Sequence, residues 1–139
     1  MKREESCGAV LYTIENGKRV YVLIMEANGS YGLPKGHKNL NETDEETALR
    51  EIKEETGIDA TIVKGMKRTI KYPVPINKSI KEVVYFVAKY ENQELRPMDN
   101  DILCAKKFTL EAALSVLKFS QIRDLLVEAD YMLDFLGAK

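Results

Sequence analysis

The sequence is poor in cysteine and proline, and it contains no tryptophan and a single histidine. Cys7 and Cys104 are far apart, have no metal-like spacing and both lie among apolar residues. We therefore expect two buried free thiols, as is typical of a reducing compartment, rather than a disulfide framework or a thiolate metal site.

Long hydrophobic segments are also lacking. The longest uninterrupted apolar run, 20–25, is far too short to span a bilayer. The charged start MKREES precedes an apolar stretch that Glu15 interrupts and that has no cleavage pattern, so no signal peptide is predicted. Internal repeats, low-complexity tracts and linkers are not found either. These absences predict a cytoplasmic protein that does not enter the membrane.

No charge of one sign dominates, since Lys and Arg number 21, Asp and Glu number 22, and the net charge is −1. Without a global basic field, nucleic acid is not expected as a partner. The chain of 139 residues is 45% hydrophobic and 31% charged, which suffices for one globular domain with a core and is too short for two. We expect a single domain over 1–139.

The first two strands are predicted at 6–14 and 19–26, around Asn16-Gly17. This dipeptide is a strong hairpin signal because both residues accept a positive φ angle. Both faces of the second strand are apolar, so it should lie inside a sheet that is covered on both sides. The segment 27–35, which follows, is predicted to be a loop.

Further strands are predicted at 60–71 (broken by Gly65), 81–90 and 101–108, with a proline-containing loop at 72–79. Thr109 is predicted to cap a short helix over 110–117, and Ser120 to cap a longer one. Apolar residues recur in the longer helix with helical period: Ile122, Leu125, Leu126, Ala129, Leu133 and Leu136. This order favours an α/β fold in which helices flank a mixed sheet, rather than a doubly wound fold.

A further helix is predicted in the middle of the chain. Thr43 followed by Glu46 is a capping-box pattern, and Gly57 stands where a left-handed residue would end the helix. At about 100° per residue, one face of this helix is apolar and suited to a core. That face consists of Ala48, Leu49 and Ile52.

Three glutamates, Glu51, Glu54 and Glu55, occupy roughly the next 100° of this helix. Carboxylates three and four residues apart repel one another, and Arg50 can neutralise only part of their charge. One interpretation is a solvated acidic face, which is the common case for glutamate-rich helices. The other is a site for a divalent cation, for which oxygen ligands indicate Mg²⁺ or Mn²⁺.

The spacing of these residues favours the second interpretation. The chain fills every fixed place of the pattern G-x5-E-x7-R-E-U-x-E-E-x-G-U, in which U is a bulky aliphatic residue, with Gly36, Glu42, Arg50, Glu51, Ile52, Glu54, Glu55, Gly57 and Ile58. A random window matches this pattern less often than about once in a million. The chain therefore resembles the Nudix hydrolases. The resemblance implies an α/β/α sandwich with a central mixed β-sheet, and metal-dependent hydrolysis of a nucleoside diphosphate linked to another group.

The resemblance also implies roles for particular residues. Glu54 and Glu55 would bind the metal ion, and Glu51 would be a further ligand or the base that activates water. The carbonyl oxygen of Lys35 would supply another ligand, and Asp101, beyond the pattern, is a candidate for one more carboxylate ligand, with a turn residue as the alternative.

Arg50 completes the candidate catalytic set with Glu51, Glu54 and Glu55. Together with Glu42 it is expected to orient the acidic cluster rather than to contact substrate. For Arg50 a purely structural role is an equal alternative, because an arginine at this position forms an intrahelical ion pair with a glutamate four residues later.

The substrate prediction depends on shorter similarities, in 6–10, in 83–86 and in the segment Gly32-Leu33-Pro34-Lys35-Gly36-His37. All three resemble asymmetrical diadenosine tetraphosphate hydrolases. This implies that Lys35, His37 and Lys81 contact the phosphate chain and that Tyr72 stacks on adenine, although Tyr72 is equally interpreted as a half-exposed aromatic at a strand end.

The resulting prediction is an enzyme that converts a dinucleoside tetraphosphate, a small-molecule substrate, to ATP and AMP. Alternatives are pyrophosphohydrolysis of (deoxy)nucleoside triphosphates or RNA 5′ ends, cleavage of diphosphoinositol polyphosphates, and a nucleotide-binding module without activity. Binding modules of this kind commonly lose carboxylates of the pattern, and this chain keeps them all, which favours an enzyme. A monomer or a homodimer is expected.

Overall fold

The computed structural model of the chain describes residues 2–137. Within them a single mixed sheet is flanked by helices on both faces. The strands are β1 (Lys2–Glu15), β2 (Lys18–Glu26), β3 (Tyr31–Gly32), β4 (Lys35–His37), β5 (Thr61–Val74), β6 (Ser79–Lys89) and β7 (Ile102–Phe108). The helices are α1 (Asp44–Thr56), α2 (Leu110–Val116) and α3 (Ser120–Phe135), and a 3₁₀ turn covers Pro75–Asn77.

The main path of the sheet runs in the order β3-β2-β1-β6-β5, and β4 and β7 pair with β1 and β2 respectively. Strands β1 and β6 are parallel, with Cys7 opposite Val84, whereas the other pairings are antiparallel. The sheet is therefore mixed, as the sequence predicts.

The helices cover opposite faces of this sheet. On one face, Ala48 and Ile52 of α1 are fully buried and belong to a core cluster with Leu11, Val22 and Phe86. On the other, α2 and α3 pack against a second cluster, which includes Val10, Leu23, Val87, Leu126 and Leu133. The α/β/α sandwich is thus confirmed. Strand β2 contributes to both clusters, as its two apolar faces predict.

Helix α1 begins and ends where the sequence predicts. The Thr43 hydroxyl accepts a hydrogen bond from the Glu46 backbone N–H (3.1 Å), and the Glu46 carboxylate accepts one from the Thr43 backbone N–H (2.8 Å). At the other end Gly57 has a φ of 79°. A side chain at position 57 would also overlap the carbonyl oxygen of Arg96, so glycine is required there for two reasons.

The predicted loop at 72–79 is wrong in its first half, because β5 continues through Tyr72 and Pro73 to Val74. Strand β5 lies at the edge of the main path of the sheet, where it pairs with β6. An edge strand tolerates a proline because its outer side faces no neighbouring strand, and the N–H that proline lacks is not needed there. The predicted break at Gly65 is a bulge between Val63 and Lys67, where Gly65 has a φ of 120°.

Two predictions about α3 are wrong. Ser120 is not its cap but its first residue, and the carbonyl oxygen of Phe119 accepts the N–H groups of Ile122 and Arg123 instead. Leu136 lies beyond the end of the helix and is 51% exposed. Apolar periodicity alone does not locate a helix end, because apolar residues can keep the helical spacing in the sequence beyond the point at which the backbone leaves the helix.

The remaining outcomes concern short elements and thiols. Strands β3 and β4 lie in and beside the predicted loop 27–35, where two or three paired residues leave no periodic signal. Both cysteines are free, but only Cys7 is buried, and Cys104 on β7 is partly exposed, so the prediction of two buried thiols is half wrong. Among the described helices we find none with the length and apolar character to cross a membrane.

Candidate active site

Helix α1 turns two of its glutamates into the protein. Glu51 and Glu55 are only 7% and 8% exposed, although both are acidic. Ala48 and Ile52, on the adjoining face, are in the core, and this fixes the rotation of the helix about its axis. The side chain of Glu54 is 41% exposed, so the three glutamates do not share one environment.

Two glycines allow the chain before α1 to approach this helix and the sheet. A Cβ atom at position 36 would overlap the carboxylate of Glu51, which therefore lies directly on the backbone of β4. A Cβ atom at position 8 would overlap the carbonyl oxygen of Pro34, where β4 meets β1. The first position of the motif thus needs glycine for close packing and not for a turn.

Hydrogen bonds connect β4 and the following loop to the acidic helix. The backbone N–H of Lys35 donates to the carboxylate of Glu55 at 3.0 Å. The guanidinium of Arg50 donates to the backbone carbonyl oxygen of His37 (2.8 Å) and to both carboxylate oxygens of Glu42 (2.7 and 3.0 Å). The motif residues therefore hold the loop at 38–43 against α1.

Arg50 also forms the intrahelical pair with Glu54, at 3.0 Å. It therefore makes the structural contact and the orienting contacts at once, and the two interpretations of this residue are not exclusive. The hydrogen bonds from Arg50 hold the pKa of the Glu42 carboxyl well below its ordinary value, at about 2.

Burial changes the titration of the two inward glutamates. Desolvation, followed by the charge of Glu54, raises the pKa of Glu51 to about 7. Desolvation also raises the pKa of Glu55 to about 8, although the hydrogen bond from the Lys35 N–H opposes this. Both carboxylates thus lack sufficient compensation for their charge, which a divalent cation would supply.

The two buried carboxylates fit such a cation in their chemistry, because Mg²⁺ and Mn²⁺ prefer oxygen ligands. Among the side chains that the structure describes, those of residues 5–137, no three acidic, histidine or cysteine groups are already grouped closely enough to hold a metal ion. Glu54 contributes no ligand to such a group here: its carboxylate accepts hydrogen bonds from Arg50, although it also lies near the carboxyl of Glu51.

A polar cavity of about 620 Å³ opens beside the buried glutamates. Of the residues predicted for the site, it brings together Lys35, His37, Arg50, Glu51, Glu55, Lys81 and Asp101. Glu54 does not line this cavity, and neither does Tyr72. The other lining residues include Glu26, Asn28 and Asp99, which were not predicted.

Asp99 is placed by the segment that follows β6. The backbone N–H groups of Met98 and Asp99 donate to the carbonyl oxygen of Glu54, at 2.8 and 2.9 Å, so this segment closes the C-terminal end of α1. Asp99 also accepts the N–H of Asp101 at 2.9 Å. The sequence 99–101 has acidic residues at both ends, and only this weak signal could have indicated Asp99.

A second, more apolar cavity of about 440 Å³ adjoins the first. Tyr31, Leu33, Ile70, Tyr72, Tyr85 and Phe119 are among its lining residues. Tyr72 lies directly across from Lys81 in the β5–β6 pair, so the predicted stacking residue and the predicted phosphate contact are neighbours. Glu26, Asn28, Lys35 and Lys81 line both cavities, which therefore meet at these residues.

Comparisons with known proteins place the chain in a family. A model of the NUDIX domain matches residues 5–129. The asymmetrical bis(5′-nucleosyl)-tetraphosphatase of Mus musculus is 30% identical over 141 aligned residues, which cover 92% of this chain and 94% of that protein. The enzyme of the same name from Sus scrofa is 28% identical over 145 residues, 96% of this chain and 97% of that protein.

Among solved structures, a binary complex of a C. elegans Ap4A hydrolase superposes with a TM-score of 0.86. Its sequence is 26% identical, and the match covers 94% of this chain and 98% of that one. The likeness therefore includes β1 and α3 as well as the acidic helix.

Proposed function

The chain belongs to the NUDIX family, and from this premise we propose that it hydrolyses dinucleoside tetraphosphates asymmetrically, giving ATP and AMP from diadenosine tetraphosphate. One observation carries the proposal. A carboxylate-lined polar cavity and an aromatic, more apolar cavity meet at two lysines, Lys35 and Lys81. This arrangement suits a ligand with a nucleobase at one end and a chain of phosphates at the other.

The polar cavity is the site of bond cleavage in this proposal. Glu51, Glu54 and Glu55, with the Lys35 carbonyl and Asp101, would hold Mg²⁺ or Mn²⁺, which would neutralise phosphate charge. Glu51 and Glu55 are the two candidates for the base, because burial brings the pKa of each carboxyl close to neutral pH.

Two lysines and a histidine position the phosphate chain. Lys35, His37 and Lys81 line the polar cavity and would contact phosphate oxygens. Arg50 is held by Glu42, Glu54 and the His37 carbonyl, so its role is to keep the loop at 38–43 in place rather than to bind substrate.

Tyr72 lines the apolar cavity, which would receive one adenine by stacking. With one nucleoside fixed there, the reactive phosphorus lies off the centre of the substrate. The two halves of a symmetrical molecule are then treated differently, which explains an unequal pair of products. A cytoplasmic location, and a monomeric or homodimeric state without a nucleic acid partner, stay predictions.

Product identification tests the proposal. Diadenosine tetraphosphate is incubated with Mg²⁺ in ¹⁸O-labelled water, and the nucleotides are separated and weighed by mass spectrometry. ATP and AMP are expected, with the label in one of them. The Glu55→Gln variant, purified in the same way, controls for contaminating hydrolases. Two molecules of ADP would contradict the asymmetry, and rapid cleavage of nucleoside triphosphates without cleavage of this substrate would favour the alternative activity.

A further inference from the structure

The junction between the two cavities contains a carboxylate, Glu26, that the phosphate chemistry does not explain. Glu26 lines both cavities, as do Lys35 and Lys81. The lysines suit a polyphosphate because they supply positive charge. A carboxylate at the same place would repel phosphate oxygens unless a cation lay between them. Unlike Glu51 and Glu55, Glu26 also borders the apolar cavity, so it can serve the part of the ligand between the two cavities.

The backbone of Glu26 is fixed at both of its polar groups. Its N–H donates to the carbonyl oxygen of Ser30 at 2.9 Å, and its carbonyl oxygen accepts the N–H of Gly29, also at 2.9 Å. Gly29 has a φ of 83°, as this tight turn requires. The backbone that carries the Glu26 side chain is therefore fixed at the end of β2.

A strand irregularity lies beside this residue. Met25 pairs with Cys104 and Glu26 with Ile102, so Leu103 of β7 is the extra residue of a bulge next to Glu26. Glu26 also lies close to the aromatic wall of the apolar cavity. Burial raises the pKa of the Tyr85 hydroxyl, and the nearby Tyr72 and Glu26 raise it further.

The chemical order of a nucleotide identifies what should lie at this junction. The base occupies the apolar cavity and the phosphates the polar one, so the ribose lies between them. The 2′- and 3′-hydroxyls of ribose are hydrogen-bond donors, and an ionised carboxylate is a pure acceptor. Glu26 thus complements the hydroxyl donors of the segment that lies at this junction.

We propose that Glu26 is a specificity-determining residue that accepts hydrogen bonds from the ribose hydroxyls and so selects ribonucleotides over deoxyribonucleotides. This inference rests on the proposed function in that it takes the ligand to be a nucleotide. It does not depend on which phosphoanhydride bond is cleaved. A hydrogen bond to a charged acceptor corresponds to about 10- to 100-fold in affinity, and a site built for a hydroxyl rejects the ligand that lacks it.

The test measures discrimination rather than turnover alone. Dissociation constants for ADP and 2′,3′-dideoxy-ADP are measured by calorimetry without added metal, and kcat/KM is compared for diadenosine tetraphosphate and its 2′,3′-dideoxy counterpart. Wild type should prefer the ribose form by about 10- to 100-fold in both ratios. In Glu26→Ala both ratios should fall to about 1, and in Glu26→Gln to an intermediate value. Glu91→Gln, an exposed glutamate outside both cavities, should keep the wild-type ratios.

Three results would overturn the inference. These are equal binding of the two ligands by wild type, undiminished preference in Glu26→Ala, and an equal loss for both forms, which would place Glu26 in the cleavage chemistry instead. If diadenosine tetraphosphate is not cleaved, the proposed function fails, whereas the two ADP affinities still test the role of Glu26.

Discussion

Helices α1 and α3 cover opposite faces of the same sheet, and they bury different kinds of side chain. The residues that α3 buries are apolar, namely Leu125, Leu126, Ala129 and Leu133. Helix α1 buries Ala48 and Ile52 together with the carboxylates of Glu51 and Glu55. Because burying an ionised carboxylate costs free energy unless it is compensated, α1 is the less favourable of the two helices for a protein without bound cations.

The two helices also differ in the capping of their ends, and in this respect α1 is the better stabilised. Side chains of Thr43 and Glu46 cap the first turn of α1, and the segment before β7 closes its last turn. No side chain caps α3 at Phe119. Local capping therefore supports the helix that carries the buried charge, whereas α3 is held by apolar packing and by the contacts of Asp130 with Arg19 and Tyr21. The comparison indicates that the buried face of α1 suits chemistry and that of α3 suits stability.

The largest expected effect is on activity. Glu55→Gln and Glu54→Gln should each lower turnover by about 10²- to 10⁴-fold, because each removes a charged oxygen ligand or the base. Asp124→Asn, an exposed change on α3, should leave turnover within about twofold. Steady-state rates with circular dichroism as a folding check would measure this, and near-wild-type turnover in either glutamine variant would remove that residue from the site.

The next effect concerns the apolar faces, on which the two helices should behave alike. Ile52→Ala on α1 and Leu126→Ala on α3 should each lower the free energy of unfolding by about 2–5 kcal/mol, since both side chains are fully buried. The matched surface changes Lys53→Ala and Val127→Ala should cost about 0.5 kcal/mol or less. Similar urea midpoints for Ile52→Ala and Lys53→Ala would show that the face of α1 is wrongly assigned.

The third prediction is that the stability of the protein depends on pH through carboxylates of α1 and not through those of α3. With raised pKa values, Glu51 and Glu55 bind protons more tightly in the folded than in the unfolded chain. The metal-free protein should therefore lose stability as the pH rises from about 5 to about 8. Over this range wild type should lose about 3 kcal/mol more than Glu55→Gln, and Asp124→Asn should follow wild type.

Below this range the dependence reverses. The pKa of Glu42 is lowered to about 2, so the stability that its ion pair with Arg50 contributes should be lost as the pH falls through the acid range. Urea titrations at a series of pH values measure both limbs. Parallel curves for wild type and Glu55→Gln between pH 5 and pH 8 would contradict the account of the buried carboxylates.

The smallest effect concerns the caps. Thr43→Ala should lower the free energy of unfolding by about 1 kcal/mol, because it removes the acceptor for the Glu46 N–H. Ser120→Ala should change it by about 0.5 kcal/mol or less, because Ser120 does not cap α3. Thermal unfolding of the two variants would check this, and a larger cost at Ser120 would reverse the comparison of helix ends.

The sequence predicts α1 well because its signals are local. The capping box, the glycine at 57 and the apolar stripe lie within fifteen consecutive residues and need no distant partner. The same holds for the strand pattern of β2 and the asparagine-glycine hairpin. The spacing of the motif likewise picks out Glu51 and Glu55, which the structure brings to one polar cavity.

Features that depend on distant contacts are not predicted. Tyr72 and Pro73 continue β5 because β6 is available as a neighbour, and a local proline rule cannot include that partner. Asp99 enters the polar cavity because its segment closes the end of α1, and Glu26 lies at the cavity junction because β2 ends there beside Lys35 and Lys81. Neither residue has a sequence signal that separates it from an ordinary surface carboxylate.

The most direct test of the central claim, that α1 buries its carboxylates to bind a divalent cation, is a Mg²⁺ titration at pH 8 followed by calorimetry and thermal unfolding. Binding should raise the unfolding temperature of wild type, because the cation binds only the folded state, and should release protons from Glu51 and Glu55. In Glu55→Gln both signals should largely disappear, although that variant should be the more stable protein without metal. The claim would be contradicted if Mg²⁺ left the unfolding temperature of wild type unchanged, or raised that of Glu55→Gln equally.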